Sequence, residues 1–225
     1  MSAQITATGV ETRAWPVQIP SGSERLEGEL ALPAGATGLV LFAHGSGSSR
    51  HSPRNQYVAR SLREHKLGTV LTDLLTVPEE HLDRMTGHLR FDTGFLSRRV
   101  SAILDELRQE SRLPFGLFGA STGAAAALVA AAERPEDVGA VVSRGGRPDL
   151  AGEALADVAA PTLLIVGGDD PEVLELNRRA MKRMRAQVDL EIVPRASHLF
   201  EEPGTLEQVA KLAAGWFVKQ LRTAS

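Results

Sequence analysis

One serine of this chain stands where a backbone turn could make it a nucleophile. Leu117-Phe118-Gly119-Ala120-Ser121-Thr122-Gly123 is a GxSxG sequence between an apolar extended run and an alanine-rich helical run. In that setting a sharp strand-to-helix turn presents a hydroxyl at the edge of a sheet. Side chains at positions 119 and 123 would collide with the neighbouring strand and helix, so glycine fits both. The plainer reading is a loop serine capping a helix. Strand, glycines and helix together favour the nucleophile.

A hydroxyl is a poor nucleophile near neutral pH, so an imidazole must take its proton and a carboxylate must hold that imidazole in one tautomer. Such an elbow is followed along the chain by the acid and then the histidine. His198 lies in Pro194-Arg195-Ala196-Ser197-His198-Leu199-Phe200, a loop between an extended run and the last helical run. The other histidines read otherwise: His65 belongs to a charged helical stretch, His81 and His88 to a polar loop without a metal-like partner set, and His51 to a solvated loop. Gly167-Gly168-Asp169-Asp170-Pro171 brings two aspartates to the end of a strand. Pro171 suits a first helical position and makes Asp170 a candidate N-cap, while Asp169 with Glu172 fits a capping box. On the residues alone, both acids stay open.

Acyl transfer also needs donors for an oxyanion. His44-Gly45-Ser46-Gly47 follows a wholly apolar run and qualifies as their loop; by position, the backbone N–H groups of Ser46 and Thr122 are the expected pair. Glycine loops admit several geometries, so Ser46 is preferred over its neighbours without excluding them. His44 reads as a structural hydrogen-bonding residue. The glycines resemble a phosphate cradle, but neither GxGxxG nor the GK[ST] ending occurs.

The elements that must position these groups alternate. Arg13 to Ile19 and Leu26 to Leu32 read as an antiparallel hairpin at the sheet edge, with Leu26, Gly28, Leu30 and Leu32 on one side. Strands follow at 38–42, 68–74, 115–118, 139–143, 162–166 and 189–193, with helices around 92–110, 122–132, 171–185 and 205–221. This pattern predicts a mostly parallel sheet of about eight strands with helices on both faces. The helix after Gly123 is apolar all round and must be buried. Its N-terminus then lies at the carboxyl ends of the central strands, where open α/β sheets bind ligands. Residues 48–55 and 76–93 read as loops, whose Arg50, Asn55, His88 and Arg90 could meet a polar or anionic acyl group or pair with neighbouring acids. Arg144, just past a strand, carries the same two readings.

The chain has 225 residues, enough for one α/β domain spanning 1–225 with no linker in view. Hydrophobic residues make up 43% and charged residues 24%, with a formal charge of -3, and Lys and Arg are interspersed with acids. Capture of nucleic acid is therefore not expected. The absence of cysteine excludes a disulfide framework, a thiolate metal site and a cysteine nucleophile. Leu113 to Ala132 is uncharged over about twenty residues, a membrane-span length. Its proline and three glycines instead predict strand, turn and helix. The polar start of the chain lacks a secretory pattern, so a cytoplasmic location is expected.

At 44–49, 119–123, 143–149 and 196–200 the sequence resembles the α/β-hydrolase superfamily, and within it the compact dienelactone-hydrolase-like proteins. The resemblance covers nearly the whole chain and implies the α/β-hydrolase fold. It also selects Asp170, because relatives place the acid three residues after the first loop glycine. Dienelactone hydrolase itself uses a cysteine nucleophile, and this chain has serine at 121. Only 145–160 separates the sixth strand from the next, too short for a lid domain, so an open pocket is expected. The expected activity is cleavage of a small-molecule carboxylic ester, or a thioester or lactone, through acyl-Ser121 with the Ser121-His198-Asp170 triad, without cofactor or metal. Two alternatives keep the same fold: a catalytically silent binding or scaffold module, and an acyltransferase using the same triad.

Overall fold

The structure, a computed structural model, describes residues 4–5, 10–14, 17–18, 25–45 and 47–222. Its first strands are β1 (Gln4–Ile5), β2 (Val10–Ala14), β3 (Val17–Gln18), β4 (Arg25–Leu26), β5 (Gly28–Pro33) and β6 (Gly38–Ala43). After α1 (Pro53–Glu64) come β7 (Leu67–Thr72), α2 (Val77–Thr86) and α3 (Thr93–Glu110). The second half alternates: β8 (Phe115–Ala120), α4 (Thr122–Glu133), β9 (Val138–Arg144), β10 (Thr162–Gly167), α5 (Pro171–Met181), β11 (Val188–Val193) and α6 (Thr205–Arg222).

Among the described residues, nine strands form one sheet in the order β1-β2-β5-β7-β6-β8-β9-β10-β11. The six from β7 to β11 run parallel, and β5, β2 and β1 are added antiparallel. The ninth strand, beyond the expected eight, is β1: two residues offer no alternation to read. The hairpin expected at the sheet edge is found only in part: β3 with β4 forms a separate two-residue antiparallel ladder, while β2 pairs with β5 inside the main sheet and β1 takes the edge; residues 19–24 lie outside the described residues.

Every residue of β6, β7, β8 and β10 is buried, as expected of strands covered on both faces. Alternation divides them between two cores. Leu39, Leu41, Leu117 and Val141 face α3 and α4. Val40, Phe42, Phe118 and Val142 face α1 and α6, with the Phe42 and Phe118 rings 4.8 Å apart. Each such side chain removed from water contributes roughly 1.5–3 kcal/mol. The stretch from Leu113 to Ala132 resolves into β8, the turn at Ser121 and buried α4. No helix among the described residues is long and apolar enough to cross a membrane.

Two segments read as loops are partly helical. Ser52 caps α1 by accepting from the Asn55 N–H at 3.4 Å, with Pro53 opening the helix. Thr76 and Glu79 close a reciprocal capping box at the start of α2, and Gly87 ends it at φ 66°. His81 therefore sits on a helix. The connection from β9 to β10 is a kinked 3-10 segment, Pro148–Ala156, packed against α4 and α5. No lid domain occurs among the described residues.

Candidate active site

Ser121 has φ 51° and ψ −124°, a left-handed setting that costs a non-glycine residue about 1–3 kcal/mol. The turn is held from several sides. The Ser121 N–H donates to the Arg144 carbonyl at 3.3 Å, and the Ser121 carbonyl accepts from the N–H groups of Ala124 and Arg147, both at 3.1 Å. A Cβ on Gly119 would lie 2.4 Å from the Ala124 Cα, and one on Gly123 would lie 2.2 Å from the Ala43 carbonyl oxygen. Only glycine allows β8, α4 and the end of β6 to meet this closely.

The loop leaving β6 passes against the same turn: the Cβ position of Gly45 is 2.8 Å from the Ser121 Cβ. His44 fixes the start of that loop. Its Nε2 accepts from the Leu74 N–H at 3.0 Å. Nδ1 therefore carries the proton, which it donates to the Gly45 carbonyl at 3.0 Å. Burial pushes the His44 pKa below the ordinary histidine value, keeping this ring neutral and structural, as expected. Thr122 is the first residue of α4. Ser46 lies outside the described residues.

The acid and the histidine arrive on two interlocked loops. Gly168 N–H donates to the Val193 carbonyl at 2.8 Å, and Asp169 N–H to the Ala196 carbonyl at 3.0 Å. Asp170, not Asp169, meets His198: the His198 Nδ1–H donates to Asp170 Oδ2 at 2.7 Å. Asp170 Oδ1 simultaneously caps α5 by accepting from the Val173 N–H at 3.4 Å. The N-cap is thus Asp170, one residue beyond the Asp169–Glu172 box considered above, and Asp169 is exposed.

Sequence reasoning missed the support of the histidine loop. Glu202 accepts from the Ser197 N–H at 3.0 Å, a bond that holds its carboxyl below the usual carboxylate range. Phe200 is fully buried beneath the loop. In the sequence, Glu202 is only one of two adjacent acids before a proline. Beside Gly145, the space a Cβ would take is bounded by the His198 carbonyl oxygen at 3.0 Å and His198 Cε1 at 3.7 Å. Ser121 is bonded to Arg144 and His198 borders Gly145, so both flank the end of β9.

A cavity of about 190 Å³ opens beside the glycine loop, bounded by Gly45, Gly47, Thr122, Leu74, Leu75 and Leu96. Its charged rim is internally paired. The Arg50 backbone N–H donates to Asp73 at 2.7 Å and its guanidinium pairs with the same carboxylate. Arg90 Nε donates to Asp83 at 2.6 Å, and Arg84 reaches Glu80 at 2.8 Å. Of the residues singled out for substrate contact, Arg50 and Arg90 are therefore bound to acids, His88 is exposed, and Asn55 and Arg144 are buried. Among the described residues, no group of three or more His, Cys, Asp or Glu could hold a metal ion.

Sheet order, elbow and loop positions define the α/β-hydrolase fold. The dienelactone hydrolase family profile matches residues 80–221. A solved dienelactone hydrolase from Anabaena variabilis is 56% identical, with a TM-score of 0.91 over 95% of this chain and 99% of that one. The chain belongs to the dienelactone hydrolase family. A solved esterase domain from a Rhodothermus marinus protein, 19% identical, shares the fold with a TM-score of 0.75 over 93% of this chain and 99% of that one. Two proteins of Mycobacterium tuberculosis, strains CDC 1551 / Oshkosh and H37Rv, are 54% identical over 208 residues, covering 91% of this chain and 46% of theirs. Both are provisionally named phosphoribosyl transferases, and the chain spans about half the length of these curated relatives.

Proposed function

We propose that this chain is a serine hydrolase that cleaves a small-molecule carboxylic ester through an acyl-Ser121 intermediate; thioesters and lactones are open to the same chemistry. The observation that carries the reading is the left-handed Ser121 turn at the sheet edge that also holds the 2.7 Å His198–Asp170 bond. His198 Nε2 takes the Ser121 proton as Oγ attacks the acyl carbon, and Asp170 holds Nδ1–H and stabilises the imidazolium. The N–H groups of Ser46 and Thr122 receive the oxyanion, each worth roughly 3 kcal/mol in the transition state. His198 then protonates the leaving alcohol, and water, activated by the same ring, releases the acid. No cofactor or metal enters these steps.

The phosphoribosyl transferase name belongs to proteins of which this segment is about half. A hydroxyl, an imidazole and a carboxylate suit acyl transfer, so the reading for this segment is hydrolysis. Purified protein mixed with 4-nitrophenyl acetate should release a burst of nitrophenol that Ser121→Ala abolishes. An unchanged burst in that variant would overturn the reading.

A further inference from the structure

Ser121 follows β8 while Asp170 and His198 follow β10 and β11, so one strand, β9, separates the nucleophile from its relay. The turn that leaves β9 spans that gap. Arg147 N–H donates to the Ser121 carbonyl at 3.1 Å, and Gly145 N–H donates to the Ile165 carbonyl of β10 at 2.8 Å. Gly145 also borders the histidine loop, its Cβ position lying 3.0 Å from the His198 carbonyl oxygen. Gly146, between these two residues, is packed without slack, since a Cβ there would overlap Ser143 Oγ and the Ala124 methyl. Residues 145–147 therefore touch the serine turn on one side and the histidine loop on the other.

The Gly146 carbonyl accepts from the side-chain amide of Asn177 at 3.0 Å. Asn177 is wholly buried on α5, the helix that Asp170 caps. The same amide nitrogen donates to the Val173 carbonyl at 2.8 Å, and the Val173 N–H donates to Asp170 Oδ1 at 3.4 Å. A continuous path of contacts thus runs from the acid, through the first two turns of α5, to the turn that holds Ser121. Stability alone does not select this side chain. Asparagine is a weak helix former, and burial strips its amide of water. Its Oδ1 is buried without a hydrogen-bond partner, a further cost. A residue that breaks helix preference and burial preference together marks a functional constraint. What the amide supplies is two donors, one spent along its own helix and one reaching across to the β9 turn. A displacement of about 1 Å between reacting groups costs on the order of 100-fold in rate, so a tie between these two segments bears directly on the chemistry.

We propose that Asn177 is a positioning residue of the relay, its amide bridge from α5 to Gly146 setting the distance between Ser121 and the His198–Asp170 pair. The inference rests on the hydrolase reading. Its test follows the rate and the extent of Ser121 labelling by a fluorophosphonate in the unaltered protein, in Asn177→Leu and in Asn177→Thr. Leucine removes both donors at similar size. Threonine can still bond the carbonyl four residues back but lacks the arm that reaches Gly146. Because the label is irreversible, its final extent counts folded sites, and its rate constant reports how well each site is aligned.

Both variants should reach one adduct per chain with a second-order rate constant lowered about 10- to 100-fold, and kcat/KM for 4-nitrophenyl acetate should fall by a similar factor. The loss should be nearly as great in Asn177→Thr as in Asn177→Leu, since each lacks the bridge. An unchanged rate constant overturns the proposal. So does full reactivity in Asn177→Thr alone, which would assign the effect to the bond within α5. Fewer labelled sites at an unchanged rate, or variants that do not fold, would make Asn177 a purely structural residue and overturn it as well. Unaltered protein that takes up no label counts instead against the hydrolase reading.

Discussion

Two neighbouring aspartates show what single residues can and cannot announce. Both Asp169 and Asp170 fit a cap and both fit a relay, because one dipeptide at a strand end serves either purpose. The register is decided only when the β10 and β11 loops interlock, with the Asp169 N–H on the Ala196 carbonyl and the Asp170 carboxylate on His198. The placement of Ser121 and His198 just past strand ends was legible from local motifs, whereas the partners of Arg50, Arg54 and Arg90 were not, since Asp73, Glu201 and Asp83 come from other segments or the far end of a helix. Asparagine caps a helix about as well as aspartate, so replacing either acid by its amide separates chemistry from stability. Asp170→Asn should lower kcat by about 10⁴-fold, as loss of the tautomer-holding acid does. Asp169→Asn should stay within a few-fold of the unaltered protein. Steady-state ester hydrolysis measures both, and loss of turnover in Asp169→Asn alone would reverse the assignment.

The elements with long apolar runs, β6, β8, β10 and α4, are plain in the sequence because burial on both sides demands them. Helix α2 does not announce itself by periodicity, since residues 76–93 are mostly polar and Asp83 is its single buried residue. The signal was present in other terms: Thr76 and Glu79 three apart, a proline in the first turn and Gly87 at the end. Asp83 fastens α2 to the turn that follows, accepting from the Arg90 backbone N–H at 3.1 Å and from Arg90 Nε at 2.6 Å. Burial alone would raise the Asp83 pKa, but the hydrogen bonds and charge of Arg90 outweigh it and hold the carboxyl below its ordinary value. A carboxyl depressed in the folded state contributes stability above the unfolded pKa of about 3.9 and loses it as pH falls through the folded value. Asp83→Asn should therefore cost roughly 2–4 kcal/mol at pH 7, and its Tm gap to the unaltered protein should narrow as pH falls below the unfolded carboxyl pKa of about 3.9. Thermal denaturation across pH 2.5–7 tests this; a constant Tm gap throughout that range would contradict it.

At the scale of the whole molecule, the candidate site exists only because three strand ends meet. Ser121 follows β8, Asp170 follows β10 and His198 follows β11, and β9 lies between the first two of these strands. Parallel strands put all three ends at one sheet edge, and the sheet behind that edge is packed on both faces by the two cores. Sequence alternation made this architecture readable, while the distances across the edge depend on how the loops pack. A serine activated in this way should react only in the folded chain. The most direct measurement is labelling of intact protein with a fluorophosphonate, followed by peptide mapping by mass spectrometry. The proposed relay predicts one stoichiometric adduct on Ser121 in native buffer and none after unfolding in guanidinium. Native protein that takes up no label at Ser121, or labels as well when unfolded, would contradict it.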